Sequence, residues 1–133
     1  MVKMSKVLFV CVRNSGRSQM AEAFFNRLAK GRGKAKSAGT HPARRLDENV
    51  IEIMWEVGIE ISRQRPKVLT PKLLNWADRV ITMGCGVEEA CPATFVETED
   101  WALEDPEGKS LEQVRKIRDE IKSRVTKLLN ELG

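Results

Sequence analysis

Tyrosine is absent from this chain of 133 residues, and histidine occurs once, at His41. One histidine and widely spaced cysteines make a poor zinc centre: Cys85 and Cys91 lack the close ligand spacing that such sites use. Cysteine itself is sparse, at Cys11, Cys85 and Cys91. Three is an odd count, which argues against a static disulfide framework. No apolar run approaches the ~20 residues of a membrane span. The short stretch Val7–Val10 is not the core of a signal peptide either, so a cytoplasmic chain with reduced thiols is expected. Repeats, linkers and low-complexity tracts are missing, and the length suits one domain over residues 1–133. Net charge is a mild +4. Basic residues cluster at Lys30, Arg32, Lys34 and Lys36 and at Arg44-Arg45 without interleaved aromatics. That pattern fits a solvated face or the steering of an anionic substrate better than a nucleic-acid surface.

What is present alternates between strand and helix. Lys6–Cys11 reads as a buried strand, Ser18–Ala29 as a helix, Ala35–Ala38 as a short strand and Leu46–Val57 as a second helix. Thr70-Pro71 opens a third helix with a threonine cap and a proline in its first turn. Asp78–Met83 is another buried strand. The last helix starts at a capping box, Ser110 with Gln113, and carries the stripe Leu111, Val114, Ile117, Ile121, Val125, Leu128 and Leu132. Alternation of this kind implies a single α/β domain, a doubly wound parallel sheet of about four strands with helices on both faces. Sites in such folds lie beyond the C-terminal ends of the strands. Between Gly84 and Lys109 no strong period is visible, and a loop of that length is expected to be functional or mobile.

The most informative residues are Cys11-Val12-Arg13-Asn14-Ser15-Gly16-Arg17-Ser18, where a strand gives way to a helix. Backbone amides of such a turn, with the positive end of the helix behind them, make a cradle for a tetrahedral oxyanion. The same field favours the thiolate of Cys11 at its base. Arg17 can offer a planar fork of donors to two anion oxygens. Ser18 can either cap the helix or hydrogen-bond the sulfur.

These residues resemble the low-molecular-weight protein tyrosine phosphatase family, and within it the thioredoxin-coupled arsenate reductases. The likeness covers nearly the whole chain. It extends to Asp105-Pro106, which implies a general acid at Asp105. The phosphatases commonly follow that pair with tyrosines; here Glu107-Gly108-Lys109 follows, as in the reductases. Cys85 and Cys91 fit the place of the reductases' two further thiols, although their separation is slightly shorter. Gly16 stands where many members have another cysteine. The resemblance implies arsenate reduction through a Cys11 adduct and a Cys11/Cys85/Cys91 relay recycled by thioredoxin or a similar dithiol. The alternative it leaves is hydrolysis of phosphate monoesters by Cys11, Arg17 and Asp105. No cofactor is expected. Asn14, Glu22 and Ser37 resemble groups that bind potassium in some reductases, but a fourth, acidic partner is not evident near Lys67–Thr70.

Overall fold

The structure is a computed structural model that describes residues 5–83 and 97–132. Four parallel strands, β1 (Ser5–Cys11), β2 (Gly33–Gly39), β3 (Arg79–Thr82) and β4 (Glu97–Asp100), lie in the order β2-β1-β3-β4. Four helices, α1 (Arg17–Ala29), α2 (Glu48–Glu56), α3 (Pro71–Trp76) and α4 (Leu111–Leu132), complete the element list.

Central β1 is buried on both faces, as a parallel strand should be. Its alternate residues divide the interior. Val7, Phe9 and Cys11 join the larger core with Met20, Phe24 and Phe25 of α1, Val50, Ile53 and Met54 of α2, and the stripe of α4. Leu8 and Val10 face the other way, onto Ala38, Val80 and the apolar residues of α3. Helices therefore cover both faces.

The helix ends follow their local chemistry. The Thr70 hydroxyl accepts from the Leu73 amide at 3.2 Å with Pro71 beside it. Ser110 and Gln113 exchange the two bonds of a capping box at 3.1 and 3.2 Å. Helix α2 starts later than its apolar spacing suggests: Asp47 is the cap, accepting from the Asn49 amide, and Leu46 is buried just before the helix. Val57, the last residue expected in this helix, is exposed and stands at its C-terminal cap. Helix α1 buries a broad face. Ala21 and Phe25 join Met20 and Phe24 in the interior because α1 is held between the sheet and α4.

The largest departure from the sequence reading is β4, which lies within the stretch read as aperiodic. Its sequence Glu97-Thr98-Glu99-Asp100 carries no apolar period. It is an edge strand, where charged side chains are tolerated and block further pairing. Trp101 follows it and turns inward, with its ring 5.6 Å from that of Phe9. Cys85 and Cys91 lie outside the described residues.

Candidate active site

Strand order reverses between β1 and β3, and the crevice at their C-terminal ends is the position where open α/β sheets bind ligands. Cys11 is the last residue of β1 and Met83 follows β3. Their edges are joined by the Met83 amide, which donates to the Val10 carbonyl at 2.9 Å.

The segment after Cys11 is wired into the rest of the molecule. The carbonyls of Cys11, Val12, Arg13 and Ser15 accept from the amides of Thr40, His41, Ala43 and Asp47 at 3.2, 2.8, 2.9 and 3.0 Å. Carbonyl oxygens repel an anion, and these four are committed elsewhere. Gly39, at the end of β2, allows this close approach: a Cβ there would lie 2.5 Å from the Val12 carbonyl oxygen. Helix α1 then begins behind the loop with Gly16 at its cap position and no side-chain cap.

Asn14 organises the loop. It has a left-handed backbone, φ 51°, which asparagine tolerates better than most residues, and it is fully buried. Its amide N–H donates to Cys11 Sγ at 3.2 Å. Its Oδ1 accepts from the Lys67 amide at 2.8 Å and from Gln19 Nε2 at 3.0 Å. A backbone N–H can only donate, so this contact fixes which way the Asn14 amide is turned. Nδ2 is thereby aimed at Ser18 Oγ, 2.7 Å away. Ser18 Oγ in turn lies 2.9 Å from Cys11 Sγ. With one lone pair engaged by Asn14, the Ser18 hydroxyl proton is available to the sulfur. Of the two roles open to Ser18 in the sequence, helix cap and sulfur partner, it takes the second. Two donors thus converge on Cys11, a free and buried thiol.

Arg17 is buried at the start of α1. Its Nη1 donates to the carbonyls of Met83 at 2.7 Å and Leu103 at 3.0 Å, and Nη2 lies 3.8 Å from Asp105 Oδ2. The guanidinium therefore links the loop, the end of β3 and the segment bearing Asp105. Asp105 itself is half-exposed, and its Oδ1 accepts from the Glu107 amide at 3.0 Å. A tight turn follows: the Lys109 amide donates to the Pro106 carbonyl, and Gly108 takes φ 75°. This turn is docked on the loop twice. Arg13 pairs with Glu107, and the Pro106 ring fills the space where a Cβ on Gly16 would sit, only 2.8 Å from it. Glycine at position 16 is thus matched to proline at position 106.

Three contributors were not visible in the sequence. Gln19, Gly39 and Lys67 hold the loop from helix, strand and a distant segment, and none carries a recognisable local pattern. Cys85 and Cys91 fall outside the described residues, and no group of three or more His, Cys, Asp or Glu able to hold a metal occurs among those that are described.

Residues 6–133 match the family described as low molecular weight phosphotyrosine protein phosphatase. The chain belongs to that family. A glutaredoxin arsenate reductase from Synechocystis is 42% identical over 98% of this chain and 100% of its own. Among solved structures, the thioredoxin-dependent arsenate reductase of Corynebacterium glutamicum is 38% identical with a TM-score of 0.83. That match covers 97% of this chain, which spans 62% of the longer Corynebacterium chain. The YwlE arginine phosphatase of Geobacillus stearothermophilus is 28% identical with a TM-score of 0.80, over 96% of this chain and 92% of that one. Solved structures of this fold thus include proteins named as an arsenate reductase and as an arginine phosphatase. No helix among the described residues is long and apolar enough to cross a membrane.

Proposed function

We propose that this chain reduces arsenate to arsenite, with Cys11 as nucleophile, Arg17 and the loop amides of Val12–Ser18 as the oxyanion cradle, and Asp105 as general acid. The observation that carries the reading is the convergence of two hydrogen bonds on Cys11 Sγ, from a loop whose Arg17 reaches Asp105. Both bonds stabilise a sulfur bearing negative charge, which is the form that attacks.

The Cys11 thiolate displaces one arsenate oxygen, and Asp105 protonates the departing hydroxide so that it leaves as water. Cys85 then attacks the Cys11 sulfur. An S–S bond forms, the S–As bond breaks, and its electron pair stays on arsenic, which leaves as arsenite. Two thiols have supplied the two electrons. Cys91 attacks Cys85, releases Cys11, and leaves a Cys85–Cys91 disulfide for an external dithiol to reduce. Thioredoxin is the proposed donor. One relative is named for glutaredoxin and another for thioredoxin, so both are tried in the test.

That test measures arsenite release with each reductant system, beside aryl phosphate hydrolysis. Cys11→Ser stops both activities. Cys85→Ser stops arsenite turnover with arsenic left on Cys11, and Cys91→Ser permits about one turnover before trapping Cys11–Cys85. The second reading is a phosphatase, favoured by the likeness to YwlE. It requires Cys11 and Asp105 and is indifferent to the other two thiols. Wild-type protein that releases no arsenite, while Cys85→Ser and Cys91→Ser hydrolyse aryl phosphate at the wild-type rate, decides for the phosphatase.

A further inference from the structure

Beside the loop lies a charged pair that the proposed chemistry does not use. Glu22 of α1 has a side chain only 12% exposed. Burial pushes its carboxyl above the ordinary glutamate value, against the opposing influence of the Lys67 ammonium and of Ser37 in β2. An ionised carboxylate in such a place needs a cation. Lys67 Nζ supplies one. It lies 3.8 Å from Glu22 Oε1, 3.5 Å from Ser37 Oγ and 3.4 Å from the Arg65 carbonyl. An ammonium has three N–H donors, and here three oxygens surround it.

The oxygens resembling a potassium site, those of Asn14, Glu22 and Ser37, do not fit that ion here. A hard cation needs a shell of oxygens with free lone pairs. Asn14 Oδ1 already accepts two hydrogen bonds, and both Glu22 and Ser37 face Lys67 Nζ. One buried oxygen of the cluster, Gln19 Oε1, has no partner among the described residues, and a single oxygen does not make a shell.

The backbone of Lys67 ties this cation to the anion loop. Its N–H donates to Asn14 Oδ1 at 2.8 Å, and its carbonyl accepts from the Gly39 amide at 2.8 Å. Asn14 donates to the Cys11 sulfur, and Gly39 allows the close approach of the Val12 carbonyl. We infer that Lys67 is a positioning residue that acts as a built-in cation: its ammonium occupies the place between Glu22 and Ser37, fixes the 65–68 segment against Asn14, and makes the oxyanion loop independent of monovalent metal ions.

This rests on the reading of Cys11–Ser18 as the oxyanion site, and inorganic phosphate serves as the probe. Phosphate protection of Cys11 from iodoacetamide is titrated for wild type, Lys67→Met and Lys67→Arg, in potassium chloride and in choline chloride at equal ionic strength. Thermal midpoints are read in parallel. Wild type gives the same protection and the same midpoint in both salts. In choline, Lys67→Met needs roughly tenfold more phosphate, the lower end of the loss seen when an outer partner of a bound group is removed. Potassium restores much of that loss, and Lys67→Arg retains most of the wild-type protection. The arsenate KM of Lys67→Met rises while kcat changes little, because binding geometry and not the acid or nucleophile is disturbed. Should Lys67→Met not fold, Glu22→Gln/Lys67→Met removes both charges and shows no response to potassium. The inference is overturned by a wild type that gains protection or stability from potassium over choline, or by a Lys67→Met protein that matches wild type in choline. A wild type in which phosphate does not protect Cys11 in either salt fails the site reading instead.

Discussion

Two segments meet at the candidate site, and they are held in opposite ways. The loop Cys11–Ser18 is buried at Cys11, Asn14, Arg17 and Ser18, and four of its carbonyls are bonded to the 40–47 segment. The turn Asp105–Lys109 is mostly exposed and rests on the loop through Pro106, the Arg13–Glu107 pair and the 3.8 Å approach of Arg17 to Asp105. A cradle for a charged substrate gains from being fixed before the substrate arrives. A general acid must reach a leaving group, meet solvent and be reprotonated, which suits an exposed turn. Changes to the loop should therefore cost stability and activity together, and changes to the turn should cost activity alone.

The sharpest way to break this contrast is Asp105→Asn. Turnover should fall by about 10²–10⁴-fold, the usual worth of a general acid. The thermal midpoint and phosphate protection of Cys11 should stay at wild-type values, because the side chain is half-exposed and outside the core. Loss of the fold with loss of turnover would place Asp105 among the structural residues.

Gly39→Ala tests the other segment. A Cβ there meets the Val12 carbonyl oxygen at 2.5 Å and Asn14 at 3.0 Å, both parts of the loop backbone. The loop must shift, at a cost of about 1–3 kcal/mol. Denaturant unfolding and phosphate protection should weaken together. A stable Gly39→Ala protein with wild-type phosphate protection would show that the loop is softer than its hydrogen bonds imply.

The sequence made some of this division legible. Strand, turn and helix around Cys11 are local features, so the loop could be read from contiguous residues, and Asp105-Pro106 through its resemblance. The long stripe of α4 and the caps at Thr70 and Ser110 likewise sit on neighbouring residues. The supports of the loop are not local. Lys67 reaches Asn14 across 53 positions, and Gly39 does so through strand pairing. Strand β4 escaped because its side chains are all polar, and edge pairing is decided by backbone hydrogen bonds. Ser18 was open between two roles until the Asn14 amide orientation chose one.

Gly108→Ala is a milder probe of the turn. Its φ of 75° suits glycine, and nothing stands within 4 Å of the added Cβ, so the whole effect is backbone strain. About 1 kcal/mol is expected against the turn conformation. Turnover should drop severalfold while phosphate protection holds. An equal fall in both would mean that the turn, through Pro106 and Glu107, also shapes the cradle.

The smallest effect is expected far from both segments, where Glu56 of α2 bridges Arg115 and Arg118 of α4. Arg115 donates from Nε and Nη2 at 2.9 and 2.7 Å, and Arg118 donates from Nη1 at 3.0 Å. The hydrogen bond from Arg115, aided by Arg118, lowers the Glu56 carboxyl from 4.5 to about 2. A carboxylate whose folded pKa lies below its unfolded one contributes stability that is present above the unfolded value and lost as pH falls towards the folded one. The bridge should therefore act fully above pH 4.5 and fade between 4.5 and about 2. Glu22 has the opposite sign: burial raises it, so its linkage falls above 4.5 and does not overlap. Thermal midpoints of wild type and Glu56→Gln should differ by a small amount at neutral pH and converge as pH drops through that window. Arsenate turnover at neutral pH should be the same in both proteins, since neither the loop nor the turn touches this bridge. A midpoint difference that persists unchanged down to the acid end would assign the effect to packing of α2 on α4 rather than to the charge of Glu56.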